Sequence, residues 1–250
     1  MLGLGNTLAG GSPPPEFTPA DIDNLALWLK NGTGLTGDPV SQWDDQSGNG
    51  NYVVQSSSGN QGDLDEGGIH LEEDNSDHYD FKDSSDDDLT ITMSANHNFL
   101  IGFVIKMESH GTQNCLLSDN NNEFIDFYGN QKLRVNCTGT TTTHTADSNT
   151  YTVDTQLAIV ISRNDGATGT FNYYINGVAV TASGGDHPGT WNAQTNPAAV
   201  EFSVLGARQG SGRFFDGTVY ELVVYDLGTG THTAGELTSL NNYLTTKFGL

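Results

Sequence analysis

The side chains best spaced for hydrolysis are two carboxylates in the run Glu123-Phe124-Ile125-Asp126. Cleaving a glycosidic bond takes two carboxylates facing one substrate. Side chains on a strand alternate between faces, so a spacing of three points this pair apart. The strand carries no second glutamate, and paired acid/base work is not expected there. The seven histidines, His70, His78, His97, His110, His144, His187 and His232, stand in polar or loop-like surroundings and read as surface residues. None is framed by a serine elbow or a cysteine signature, so no nucleophilic triad is expected. No Cys/His spacing suits zinc. Gly206, Gly210 and Gly212 lack a following Lys-Ser/Thr and a helix start, so they read as a turn rather than a phosphate cradle.

Two binding chemistries remain. Calcium takes about six to eight oxygens, which short Asp- and Asn-rich loops supply. The loop Asp44-Asp45-Gln46-Ser47-Gly48-Asn49-Gly50-Asn51 has such oxygens around two glycines, with Asp44, Asp45, Asn49 and Asn51 as candidate ligands. The competing reading is a loop whose Asp and Asn side chains cap its own turns. Sugar binding takes exposed aromatics and polar groups. Trp191 in a loop-like stretch, with Tyr128 and Asn130 at a turn, are the candidates. Trp28 and Trp43 are expected inside.

The chain has 250 residues, with 31 acidic against 9 basic side chains and a net charge of −22. Such a surface repels nucleic acid and anionic membranes. No apolar run approaches the ~20 residues of a membrane helix. The N-terminus lacks the basic region and apolar core of a secretory signal. Two cysteines are too few for a disulfide scaffold. A turn near Asn121 puts Cys115 opposite about Asp126, and a turn at Gly129-Asn130 puts Asp126 opposite about Leu133. Cys137 then lies too far along a non-adjacent strand to bridge, so two free, buried thiols are expected, as in a reducing cytoplasm.

The elements that position these residues are mostly strands. Phe99, Ile101, Phe103, Ile105 and Met107 alternate with Leu100, Gly102, Val104 and Lys106, which predicts a central strand apolar on both faces. Leu116-Leu117, Phe124–Tyr128 and Lys132–Val135 form a predicted meander. Asn176-Gly177 between apolar runs predicts a hairpin. Residues 63–88 hold twelve acids and one lysine, Lys82, with Ile69, Leu71, Tyr79 and Phe81 suggesting two short strands. Residues 138–155 carry nine threonines and read as exposed strand and loop. A short helix follows Thr18, with Pro19 at its first position, Asp21 closing a capping box, and Phe17 and Ile22 as a staple. A second helix runs from about Ala234 to Lys247, with a Thr233/Glu236 capping box, a stripe of Leu237, Leu240 and Leu244, and Gly249 at its end. One core is expected to unite Leu27, Phe103, Ile159, Ile161, Leu222 and Val224.

Two segments at opposite ends carry a resemblance. Near the start stand Leu25-Ala26-Leu27-Trp28-Leu29-Lys30 and Val40-Ser41-Gln42-Trp43-Asp44-Asp45-Gln46-Ser47-Gly48-Asn49-Gly50-Asn51. Near the finish stand Phe215-Asp216-Gly217-Thr218-Val219-Tyr220-Glu221-Leu222-Val223-Val224-Tyr225-Asp226 and a helix reaching Phe248-Gly249-Leu250. Together they resemble the concanavalin A-like, laminin-G-like jelly-roll family over roughly residues 22–250. The resemblance implies an all-β antiparallel jelly-roll β-sandwich, here with short N-terminal and C-terminal helices. It also allows a calcium on a loop rim.

Residues 1–15 precede that domain as an arm whose three prolines make a stiff spacer. Its first twelve residues carry no charged side chain and include Met1, Leu2, Leu4 and Leu8, a set suited to contacting a partner chain. The opening, the proline spacer, the jelly roll and the closing Lys-Phe-Gly-Leu resemble accessory structural proteins that decorate the virions of marine tailed phages. That likeness implies a non-enzymatic protein on a virion surface, assembled in the host cytoplasm, with capsid or tail proteins or its own copies as partners. A glycan-binding module for attachment to a host surface is the alternative, and a glycoside hydrolase the third. No cofactor is required; calcium is the one ion that the Asp44–Asn51 loop has the oxygens to hold.

Overall fold

The alternating run around Phe103 forms the strand Asn98–Met107, which pairs with Gln156–Arg163 on one side and Gly217–Gly228 on the other. The structure, a computed structural model, describes residues 16–109, 114–119, 123–129, 132–137, 140–146, 150–165, 167–180, 189–192, 197–208 and 212–250. Residues 140, 141, 144, 146 and 189–192 are described by their place in the sheet only. Lys106 alone in the central strand is not fully buried. Phe99, Ile101, Phe103, Ile105 and Met107 enter a core between two sheets, while Leu100 and Val104 enter a second apolar layer under the C-terminal helix.

Among the described residues the first sheet has eight strands. Its order is Val178–Ala179, Phe171–Ile175, Gln156–Arg163, Asn98–Met107, Gly217–Gly228, Gly68–Leu71 and Asp63–Asp65, and Leu25–Leu29 also pairs with Gly217–Gly228. The second has ten strands, from Gly189–Asn192 through Thr140–Ala146, Lys132–Cys137, Phe124–Phe127 and Asn114–Ser118 to Val204–Leu205, Tyr79–Lys82, Tyr52–Val54, Val40–Asp44 and Leu35–Gly37. Adjacent strands are antiparallel in both sheets, and the sandwich expected from the sequence is present. Leu27, Phe103, Ile159, Ile161, Leu222 and Val224 share the core, which also takes in Trp43. The Asn176-Gly177 hairpin forms with positive φ at both residues, 48° and 79°.

The C-terminal helix, Ala234–Phe248, covers the outer face of the first sheet. Its capping box is made, with Thr233 N–H donating to Glu236 Oε2 at 2.6 Å and Glu236 N–H to Thr233 Oγ1 at 3.1 Å. Gly249 ends it at φ 71°. Leu240 and Leu244 are fully buried against the sheet, and a Cβ on Gly102 would meet Leu244 Cδ1 at 3.0 Å. Glycine at 102 therefore lets the helix sit close. The N-terminal helix is one 3-10 turn, Pro19–Asp21, held where Asp21 Oδ2 accepts from Thr18 N–H at 2.7 Å.

The two short strands expected at Ile69 and Tyr79 form, one in each sheet. Two expectations change in detail. Thr142 is buried rather than exposed, and its hydroxyl shares a 2.9 Å hydrogen bond with the Tyr173 hydroxyl across the core. Cys115 stands opposite Asp126 as expected, but Asp126 faces Arg134 rather than about Leu133, a register shift of one residue across the turn at Gly129. Both thiols are free and buried, and burial pushes Cys137 up to about 12.

Candidate functional site

A cavity of about 570 Å³ opens between the C-terminal helix and the Leu25–Leu29 strand. Three pieces of chain line it. Glu16, Phe17 and Thr18 come from the segment before the 3-10 turn, Trp28 and Lys30 from the strand and its end, and Ser239, Asn242, Tyr243, Thr246 and Lys247 from the helix. The helical residues recur at three- and four-residue spacing, so they form one face beside the buried Leu240 and Leu244.

The walls are aromatic. Trp28 and Tyr243 meet edge to face with centroids 6.3 Å apart, and Phe17 meets Tyr243 at 6.2 Å. Lys30 Nζ lies 5.0 Å from the Trp28 ring centroid, within cation–π range. Behind the walls is Glu221, fully buried. Its Oε1 accepts from Trp28 Nε1–H at 2.8 Å and from the Tyr243 hydroxyl at 2.7 Å, and its Oε2 accepts from Lys247 Nζ at 2.5 Å. Burial, followed by the Glu221 charge, pushes the Tyr243 hydroxyl well above its ordinary range, so it stays a donor. One carboxylate thus fixes the orientation of three lining side chains.

Sequence reasoning missed this site. It placed Trp28 inside, and Trp28 is 94% buried, but in the outer layer rather than between the sheets, where it forms a cavity wall. Glu221 was concealed in an apolar strand. A β-bulge between Val219 and Glu221 breaks the alternation, so Tyr220 and Glu221 both face the helix while Val219 and Leu222 face the core. The one sequence signal was the polar and aromatic helical face from Ser239 to Lys247.

Of the three predicted glycan residues, only Tyr128 has a described side chain. Tyr128 is exposed beside Lys132 and Arg134, and Asn130 lies outside the described residues. Trp191 pairs with His144, in the register row of Leu133 and Phe127 rather than that of Arg134 and Asp126. Met1, Leu2, Leu4 and Leu8 also lie outside the described residues.

In the Asp44–Asn51 loop the polar groups bond one another and the adjoining strand. Asp45 is buried and accepts from Trp28 N–H at 2.7 Å, Ser47 N–H at 2.8 Å and the Ser47 hydroxyl at 2.5 Å. Its carboxyl is raised by burial and lowered in part by those bonds. Asp44 Oδ1 accepts from Gln42 at 2.6 Å, Asn49 donates its amide to Leu25 O and Ala26 O at 3.1 Å, and Asn51 O accepts from Asp45 N–H. Elsewhere His70, Glu72 and Glu108 bring ligand atoms within 4.8 Å of one another, a grouping that no local spacing reveals. Asp126 is buried on the face away from the core and paired with Arg134.

The family model of the concanavalin A-like lectin/glucanases superfamily matches residues 73–229, more than half of the chain. The chain belongs to the concanavalin A-like lectin/glucanase superfamily. Among solved structures, a Trypanosoma rangeli sialidase in complex with the inhibitor DANA is similar at 13% identity and TM-score 0.55, over 87% of this chain and 32% of that one. The same sialidase as a covalent intermediate with 2,3-difluorosialic acid gives 12% identity and TM-score 0.55, over 90% and 33%. Domain 4 of the arabinanase AbnA from Geobacillus stearothermophilus, in complex with arabinotriose, gives 18% identity and TM-score 0.49, over 87% and 98%. This lectin/glucanase-like chain therefore spans about a third of the sialidase chains, with which it shares the fold. No curated protein matches. Trp28 and Tyr243 flank the matched region, while Glu221 lies within it. Among the described residues no helix is long and apolar enough to cross a membrane.

Proposed function

We propose that the chain is a non-enzymatic carbohydrate-binding module that takes a sugar in the cavity between Trp28 and Tyr243. The observation that carries this is the lining: two aromatic walls fixed by one buried carboxylate, with hydroxyl and amide side chains at the rim. Aromatic faces stack on the apolar faces of a pyranose, and Thr18, Ser239, Asn242 and Thr246 supply donors and acceptors for hydroxyls. The volume falls in the range of about 300–1,000 Å³ usual for small-ligand sites. Membership of a superfamily named for lectins and glucanases agrees with this reading. Catalysis is not proposed, because both oxygens of Glu221 are committed to Trp28, Tyr243 and Lys247 rather than to a reacting group. The test is a glycan array with the full chain beside Ser239→Trp, which fills the cavity from the helix wall and removes no group of the Glu221 network. Binding that S239W abolishes supports the reading; no binding, or binding that survives S239W, refutes it.

A second reading concerns how such a module is carried. Glu16 and Phe17 line the cavity, so the uncharged segment 1–15 joins the described chain at its rim. We propose that this segment, through Met1, Leu2, Leu4 and Leu8, ties the module to a larger assembly such as a virion surface or to its own copies. Deleting residues 1–15 should leave the fold intact and abolish incorporation; full incorporation of the truncated chain would refute it.

A further inference from the structure

The strands Gly68–Leu71 and Asn98–Met107 flank Gly217–Gly228 in the first sheet, with Gly217 opposite both Leu71 and Met107. Leu71 and Met107 enter the core, so His70 turns to the outer face. Glu72 and Glu108 follow at the two strand ends, each held by its backbone. Glu108 N–H donates to Asp216 O at 3.0 Å, and Glu72 N–H donates to Asp77 Oδ2 at 3.0 Å. The side chains of His70, Glu72 and Glu108 converge. His70 Nε2 lies 3.3 Å from Glu108 Oε1 and 3.7 Å from Glu72 Oε1, and all three atoms lie within 4.8 Å of one another.

A salt bridge alone leaves this contact poorly made. His70 Nε2 is buried and has no hydrogen-bond partner among the described residues. Glu108 Oε1 is near enough to accept a ring N–H, so it must lie off the axis of that nitrogen. A metal ion accounts for such an arrangement. Zinc sits on the axis of an imidazole nitrogen and takes its other ligands in a tetrahedron, which places them to the side and about 3.3–3.5 Å from the nitrogen. The two carboxylate oxygens stand close to those places. Calcium and magnesium take oxygen ligands, whereas an imidazole among carboxylates suits a first-row divalent ion. Behind Glu72, Asp77 is 1% exposed, and its Oδ1 also lacks a partner among the described residues. Burial raises the Asp77 carboxyl, and the Glu72 N–H and the His70 charge offset this in part.

We propose that His70 Nε2, Glu72 Oε1 and Glu108 Oε1 bind one divalent first-row transition-metal ion, such as zinc, with water completing its coordination. The ion ties the end of the central strand to residues 72–78, which carry the chain from the first sheet to the second. Its role is to fasten that crossing. The site is independent of the sugar reading, whose cavity uses none of these residues.

The experiment is calorimetric titration of the full chain with zinc chloride, in millimolar magnesium to occupy the ordinary acidic surface, beside the variants His70→Gln and Glu108→Ala. Glu108 is exposed, so its variant should fold, and coincident melts of metal-free wild type and Glu108→Ala check this. One zinc per chain is expected. Each variant should weaken it by more than the about 10–100-fold lost when a group behind a ligand is changed. Zinc should raise the Tm of the wild type and leave that of both variants unchanged. No zinc binding overturns the proposal. So does zinc binding that both variants retain, which would place the ion elsewhere on the chain.

Discussion

Lys247→Met is the most informative single change, because its cost depends on what Glu221 is left with. Lys247 Nζ lies 2.5 Å from Glu221 Oε2, the Lys247 side chain 24% exposed and that of Glu221 fully buried. Removing the ammonium strands a carboxylate that cannot reach water and retains only two neutral donors, Trp28 Nε1–H and the Tyr243 hydroxyl. Breaking a buried pair from one side costs about 3–5 kcal/mol. The two remaining hydrogen bonds favour the lower end, about 3 kcal/mol, which in a chain of this size is a Tm lower by about 6–12 °C. Glu221→Gln is milder. It leaves an ammonium that can swing to solvent, and costs about 1.5–3 kcal/mol for the lost charge-assisted bond. In the double variant a neutral amide faces a thioether and no charge is buried, so the double should cost no more than Lys247→Met alone. Urea unfolding of the four proteins reads this directly. Single-variant costs that simply add in the double would refute the claim that Glu221 organises these side chains as a unit.

Three further outcomes follow from the same geometry. Phe103→Ala should cost about 3–5 kcal/mol in urea unfolding, since a fully buried ring facing Phe127 is replaced by a cavity. Thr233→Ala should cost about 0.5–2 kcal/mol and should reduce hydrogen-exchange protection in the C-terminal helix. The Thr233 N–H and hydroxyl hold the Glu236 carboxyl below its ordinary 4.5, so this contribution is complete above that pH and fades as pH falls through the lower folded value; the wild-type helix should lose protection over that acid range, and Thr233→Ala, which keeps the N–H but not the hydroxyl, should show a smaller loss. Because Asp45 is engaged by Ser47 and Trp28, Asn49 by Leu25 and Ala26, and Asp44 by Gln42, thermal melts with millimolar calcium and with chelator should coincide; a higher Tm with calcium would show that Asp44, Asp45, Asn49 and Asn51 rearrange into a site.

The sandwich was legible because its signals are local. Alternation in Phe99–Met107, the Asn176-Gly177 turn and the Thr233/Glu236 box each report the element that they belong to, and each element formed. The cavity was not legible for the opposite reason. Trp28 and Glu221 are 193 residues apart and meet only because the first and last strands pair, and the bulge at Tyr220 hides which way Glu221 points. In the loop at Asp45 the bonds to Ser47 are the turn capping that the residue types suggested, whereas the reach to Trp28 N–H was not legible, because backbone donors leave no trace in a sequence.

The central claim is that the aromatic cavity is where a sugar sits. A crystal structure of the full chain soaked with the best sugar from the array tests it most directly. The account predicts sugar density between Trp28 and Tyr243, with hydroxyls on the rim residues Ser239 and Asn242; sugar density elsewhere with an empty cavity would contradict it.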